Sequence, residues 1–258
     1  MENYNRLWRS FFAIMLICIA VQQIICADFR PVIMLPGYPV WLTHRLVWVW
    51  IFSIALITAC AVIIFEIRAR SVSLILAGVL ILLVLGFQIP GQPYPSHIGS
   101  WTDAFKELTF SGGAFIVAGS LPRENNPPGL IKFLEKLIPS GKYFLAITMV
   151  IFGYMHFVYP AFVSTLVPNW IPGHLFWTYF AGAALILAGL AIILNIKRRL
   201  AAGLLGLMIL LWFIMLHMPR AIADPHSGNG NEWTSVFEAF GFSGIAFLLA
   251  GRSHKKNF

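Results

Sequence analysis

The chain has 258 residues, of which 59% are hydrophobic and only 11% charged, with a formal net charge of +8. Soluble domains carry charge on about 25% of positions, so this composition excludes an ordinary water-soluble domain and leaves the lipid bilayer as solvent. The excess of positive charge does not point to nucleic acid, because its placement follows membrane topology.

Taken in chain order, the sequence predicts eight apolar helices between charged and Pro/Gly-rich breaks, at 8–27, 46–65, 71–89, 102–119, 143–160, 175–194, 200–218 and 234–250. Each has close to the ~20 residues that a bilayer core requires. The first follows Arg6 and Arg9 in the manner of a secretory signal. No small-residue cleavage site follows it, so it reads as a retained span. Between the fourth and fifth helices, residues 120–142 hold "RENNPPG" and then "LIKFLEKLI", an amphipathic stretch with Leu130, Phe133, Leu134 and Leu137 on one face and Lys132, Glu135 and Lys136 on the other. Such a segment suits the membrane interface. Cys18, Cys26 and Cys60 all fall in predicted helices without a C-x-x-C pair, and read as small apolar helix residues.

Fourteen of the eighteen Lys and Arg residues, among them Arg6, Arg9, Arg70, Lys136, Lys142, Arg199 and Lys256, fall on one side of these helices. Arg30, Arg45, Lys106 and Arg220 lie on or near the other. The positive-inside rule then puts both chain ends and the 120–142 connector in the cytoplasm.

The two halves of the chain repeat. "WTDAFKELTFSGGAFIVAG" at 101–119 lies over "WTSVFEAFGFSGIAFLLAG" at 233–251, "FQIPG" at 87–91 over "LHMPR" at 216–220, and "AVIIFEIRAR" at 61–70 over "LAIILNIKRR" at 190–199. "HRLVW" at 44–48 pairs with "HLFW" at 174–177 if one gap is allowed. The expected fold is therefore all-α and membrane-embedded, with eight transmembrane helices as two parallel tandem four-helix bundles. Residues 1–119 form a diverged first module, 120–142 the connector and 143–258 the second module. An even number of helices per copy sets the symmetry axis along the membrane normal, unlike inverted repeats.

Six of the seven histidines, His44, His97, His156, His174, His217 and His226, fall at or near the external helix ends. In the second copy, four antiparallel helices can direct His156, His174, His217 and Glu238 toward one shallow pocket, with Arg220, His226, Glu232 and Trp233 at its rim. His44 and His174 also suit the interface without any function. A carboxylate one turn inside an apolar helix, as Glu238 is, has to be paired or protonated. Its counterpart by repeat is Lys106, so the two can pair across the modules. The first copy has Gln88 in place of His217 and Gly91 in place of Arg220, which makes the second the active half. No metal-ligand spacing is present.

The second half, through "VPNWIPGHLFWTYFAG" and "LHMPR…NGNEWTSVFEAFGFSGIAF", resembles the DoxX family of bacterial membrane proteins, mostly four-helix proteins named for a subunit associated with terminal quinol oxidase and thiosulfate:quinone oxidoreductase. The resemblance implies a subunit of the bacterial inner (plasma) membrane linked to quinone-dependent redox or oxidative-stress functions, with other membrane redox subunits as partners and a quinone as cofactor. The alternatives are a non-catalytic scaffold or partner-binding module and, ranked last, a transporter, since no helix is visibly interrupted at mid-membrane. Haem held by His156 and His217 ranks below the quinone. Reporter fusions after Arg70, Lys136, Arg199 and Phe258 should report cytoplasm, and fusions within 90–100 and 221–231 the exterior; an external signal from the connector would rule out the eight-helix topology.

Overall fold

The computed structural model describes residues 2–251, with side chains from Tyr4 onward. Arg252, His254, Lys255, Lys256 and Phe258, which entered the topology reading, lie outside the described residues. The first copy contributes α1 (Glu2–Cys26), α2 (Arg45–Ile64), α3 (Ala69–Leu83) and α4 (Thr102–Ser120). A short α5 (Gly129–Glu135) leads into the second copy, which comprises α6 (Gly141–Val158), the single-turn α7 (Pro160–Ser164), α8 (His174–Ile193), α9 (Arg198–Trp212), the short α10 (Met218–Ala223) and α11 (Asn231–Gly251).

Among the described residues seven helical stretches are long and apolar enough to cross a membrane, and the protein is a multi-pass helical membrane protein. α2 and α8 turn large apolar side chains outward, including Trp48, Trp50 and Ile54 on one and Phe176, Trp177 and Phe180 on the other. Only lipid accepts an apolar surface of that extent. The remaining long helix, α4, has 19 residues but carries Asp103, Lys106 and Glu107 near its start. Its residues from Thr109 to Ala118 are all buried inside the protein.

The repeat extends to backbone detail. α2 and α8 have 20 residues each, and α3 and α9 have 15. Both of the latter widen at the same register into a five-residue π turn, Val84–Gln88 and Phe213–His217. Left-handed residues recur in pairs before these helices: Glu66 (φ 59°) with Asn195 (φ 57°), and Arg68 (φ 48°) with Lys197 (φ 43°). The left-handed cap before α2 is His44 and that before α8 is Gly173. His44 therefore answers Gly173, and His174 answers Arg45. This corrects the gapped pairing of His44 with His174: both helices begin one residue after a left-handed cap, so backbone register, not histidine identity, sets the alignment.

Within each copy successive long helices are neighbours, α1 with α2, α3 and α4 in turn, and α6 with α8, α9 and α11 in turn. The closing contacts cross between copies. α11 packs along α1, α4 packs along α6, and α4 meets α11 at the centre, whereas α1 barely touches α4. The two modules thus interlock instead of closing as self-standing bundles. Small residues permit the approach. A Cβ on Gly112 would lie 2.7 Å from the carbonyl oxygen of Gly141 and 2.8 Å from Phe144 Cβ, and one on Gly244 would lie 2.5 Å from Phe11 Cβ and 3.0 Å from the Trp8 carbonyl. The same two contacts, doubled by the repeat, place α6 on α4 as α1 is placed on α11.

The connector helix α5 buries Ile131 and Leu134, the latter against Gly78, and leaves Leu130 and Phe133 exposed. The expected apolar face is thereby split: one part docks on α3 and the other points away from the protein. Gly244→Val should lower thermal stability in detergent by about 1–3 kcal/mol through overpacking, while Gly86→Ala, at a position with open space around it, should change it little.

Candidate functional site

The chemistry collects at the end of the body where α4 and α11 begin. Lys106 and Glu238 project toward each other from these central helices, with Nζ 2.9 Å from Oε2. Asp103, one turn back on α4, lies 3.5 Å from the same ammonium. The side chains of Lys106 and Glu238 are 15% and 5% exposed. Desolvation of two such charges is offset only when both are present and close.

The next residue on α4 is more unusual. Glu107 is fully buried, its position in the second copy is taken by Ala239, and neither carboxylate oxygen has a hydrogen-bond partner among the described residues. Gln88, at the end of the first π turn, lies beside it without closing a hydrogen bond. The Gln88 amide donates instead to the Pro31 carbonyl at 2.8 Å, and its own oxygen is left unpaired.

Arg30, in the loop after α1, is 2% exposed and ties the copies together. Its Nε donates to Thr234 Oγ1 at 3.1 Å and its Nη1 to the Asn229 carbonyl at 2.8 Å, while its backbone N–H donates to Gln23 Oε1. Thr234 in turn donates to Gln22 Oε1 at 2.8 Å, and Gln23 donates to Ser53 Oγ at 3.0 Å. A hydrogen-bonded chain therefore runs from Gln22 through Thr234 to Arg30, and Arg30 is within electrostatic reach of Glu238 in the separate Glu238, Lys106 and Asp103 cluster.

Of the residues expected to converge, four do. His217 closes the second π turn within electrostatic reach of Lys106, Glu232 and Arg220. Arg220 binds Glu232 through two hydrogen bonds, 2.8 and 3.2 Å, and Glu238 completes the group through Lys106. His156 stands apart: its ring stacks on Trp212 and its Nδ1 lies 2.7 Å from the Phe152 carbonyl of its own helix. His174 opens α8, where its carbonyl accepts from Thr178. Among the described residues neither histidine bonds to His217, Arg220 or Glu238.

His226 and Trp233 line a cleft of about 480 Å³ together with Ile17, Cys18, Gln22 and Phe237. This cleft is not the pocket expected from the four helices of the second module alone. The opening lies between α1 of the first copy and α11 of the second, because those two helices pack on each other. Its walls are apolar and aromatic, with Gln22 at the start of the hydrogen-bonded chain. The first copy, which the sequence reading set behind the second as the active half, thus contributes one wall of this cleft. Among the described residues no group of three or more His, Cys, Asp or Glu side chains is placed to hold a metal ion.

Sequence reasoning passed over Arg30, Gln22, Gln23, Thr234 and Glu107. Glu107 had a legible signal, a second acid beside Lys106 in an apolar helix, but the comparison of copies drew attention only to positions where both hold a polar group. The others are uncharged or lie in a loop, and only packing shows that they are buried.

A family model described as a domain of unknown function (DUF8561) matches residues 145–235. That stretch, less than half of the chain, runs from α6 to the start of α11. No curated protein and no solved structure matches the chain.

Removing one member of the central pair should be costly. Glu238→Leu or Lys106→Met alone should each destabilise the detergent-solubilised protein by about 3–5 kcal/mol, and the double variant should recover most of that loss. A thermal-melt double-mutant cycle measures the coupling, and additive losses would show that the pair does not hold the copies together.

Proposed function

We propose that the chain is an eight-span protein of the bacterial inner membrane with both ends in the cytoplasm, and that it serves as a DoxX-like, quinone-associated subunit holding the quinone ring in the α1/α11 cleft. α4 is the eighth span: its three charged residues are compatible with the bilayer because the central position shields them behind the other helices. The observation that carries the functional reading is the apolar cleft whose lining residue Gln22 starts a buried hydrogen-bonded chain through Thr234 to Arg30, a charge within electrostatic reach of Glu238.

A quinone is an amphipathic ring on an isoprenoid tail. The cleft offers Ile17, Val21, Ile25, Trp233 and Phe237 to ring and tail, with His226 and Gln22 as polar groups for the ring oxygens. A concave, mostly apolar site with a few convergent polar groups is the usual form of such a pocket. Oxidation of a quinol releases two protons and two electrons. Were a quinol oxidised there, His226 at the mouth would stand nearest to its oxygens and the electrons would pass to a partner redox subunit. His156 is turned onto its own helix.

The test is the quinone content of the protein purified in mild detergent, measured by extraction and chromatography against the quinone-to-lipid ratio of the membrane. The expected result is enrichment in the wild type, loss of enrichment in Val21→Trp, which fills the cleft from the lipid side, and no change in His174→Ala, with melting temperatures nearly equal. If the quinone content of the wild type never exceeds that of the surrounding lipid, the quinone reading fails and a non-catalytic scaffold takes its place.

A further inference from the structure

The opposite end of the body, where α6 and α9 begin and α8 ends, carries a second constellation on which the redox reading makes no demand. Lys142, Lys197, Arg198 and Arg199, with Asn195 and Leu200, line an open groove of about 560 Å³.

The equivalent place in the first copy shows what this groove lacks. There Arg9 occupies the position of Lys142, since Trp8 and Phe11 meet Gly244 as Gly141 and Phe144 meet Gly112. Arg9 donates to Glu66 at 2.7 Å. In the second copy Lys142 donates at 2.8 Å to Asn195, the residue with the same left-handed backbone as Glu66 but a neutral side chain. Arg70 reaches the Ala118 carbonyl and pairs with Glu135 of the connector at 2.7 Å. Its counterpart Arg199 makes the equivalent contact to the Ala250 carbonyl. Ser71, whose hydroxyl donates to Glu124, is replaced by Leu200.

In the first copy Glu66 holds Arg9, and Glu135 of the connector holds Arg70. In the second copy Asn195 stands where Glu66 is, and Arg198 where Ala69 is. Among the described residues no Asp or Glu pairs with Lys142, Lys197, Arg198 or Arg199, and the Nε of Arg198 is buried without a hydrogen-bond partner. Residues 252–258, "RSHKKNF", supply no acidic side chain either. Four cations with no carboxylate call for an anion. Exposed Leu194, Ile196, Leu200 and Leu204 flank them at the level where spanning helices end.

We infer that this groove is a binding site for the phosphate headgroup of an anionic phospholipid, whose acyl chains lie along the exposed leucine and isoleucine side chains below it. Guanidinium groups bind phosphate oxygens through paired, charge-assisted hydrogen bonds, and basic pockets between spanning helices at the membrane surface are suited to acidic headgroups. The free Nε of Arg198 is the donor left for this purpose. The first copy has no such site because its own acids occupy the cations.

The experiment titrates the full-length protein in a neutral detergent with dioleoylphosphatidylglycerol, with dioleoylphosphatidylcholine and with inorganic phosphate, and follows melting temperature and lipid retention by native mass spectrometry. Saturable stabilisation and retention of phosphatidylglycerol are expected, with neither from phosphatidylcholine or phosphate at equal concentration. Arg198→Gln should lower phosphatidylglycerol affinity about fivefold, the effect of one cation near a membrane surface. Asn195→Glu should abolish the preference while keeping the fold, because it rebuilds the arrangement that the first copy tolerates at Glu66. Equal binding of the two lipids, or an undiminished preference in Asn195→Glu, overturns the site. Inorganic phosphate stabilising as strongly as the lipid overturns the lipid assignment in favour of a soluble phosphate.

Discussion

The structure depends on charges that have to be satisfied inside a body surrounded by hydrocarbon. Lys106 and Glu238 lie on α4 and α11, two enclosed helices at the centre. Lys106 has Asp103 on its own helix, and Glu238 has its counter-charge across the copies. In water such a pair contributes little beyond the cost of burying it; in a bilayer the alternative is an unpaired charge in lipid, so the pair specifies which helices meet. Gly112 and Gly244 make that meeting sterically possible, and the exchange of closing contacts between copies follows.

Duplication followed by divergence accounts for the polarity of the molecule. An exact two-fold repeat would place like charges face to face at the centre. Here one copy holds Lys and the other Glu. The same divergence separates Gln88 from His217 at the π turns, Glu107 from Ala239 and Glu66 from Asn195. The backbone, down to its left-handed residues and its widened turns, has stayed the same. π turns are often found at functional sites because they re-aim the side chains around them. In α3 and α9 they direct Gln88 and His217 toward the central helices.

The two ends of the body use polar groups differently. At the end carrying the chain's first residues, buried arginines are held by carboxylates and helix-terminal carbonyls: Arg9 by Glu66, and Arg70 by Glu135, Ala118 and Leu121. These contacts fix helix ends and the connector. At the opposite end several atoms of the interior polar side chains, in Gln88, Gln92, Glu107 and Glu238, lack partners. Buried polar atoms without partners are expensive, and most of those among the described residues lie at this end.

Much of the architecture was legible in the sequence because helix formation in a bilayer is a local matter. Eight apolar stretches, the repeat and the amphipathic connector follow from hydropathy, spacing and identity along the chain, and helix ends agree with it closely except where α1 begins earlier and the π turn carries α9 into α10. Opposite charges at Lys106 and Glu238 were also visible, since the repeat aligns them. The partnership of helices was not legible, because parallel copies of a module can close on themselves or on each other with the same hydropathy pattern. That choice rests on whether glycines stand where an added Cβ would come within 2.5–3 Å of the facing helix, a property of three-dimensional shape. It set the cleft between the copies and left His156 and His174 outside the polar cluster. It also brought in Arg30 and Gln22, whose burial depends on residues some two hundred positions away. The sequence by itself determined the spans and the duplication through local hydrophobicity; only tertiary packing decided which polar groups share an interior, because that depends on contacts no local pattern encodes.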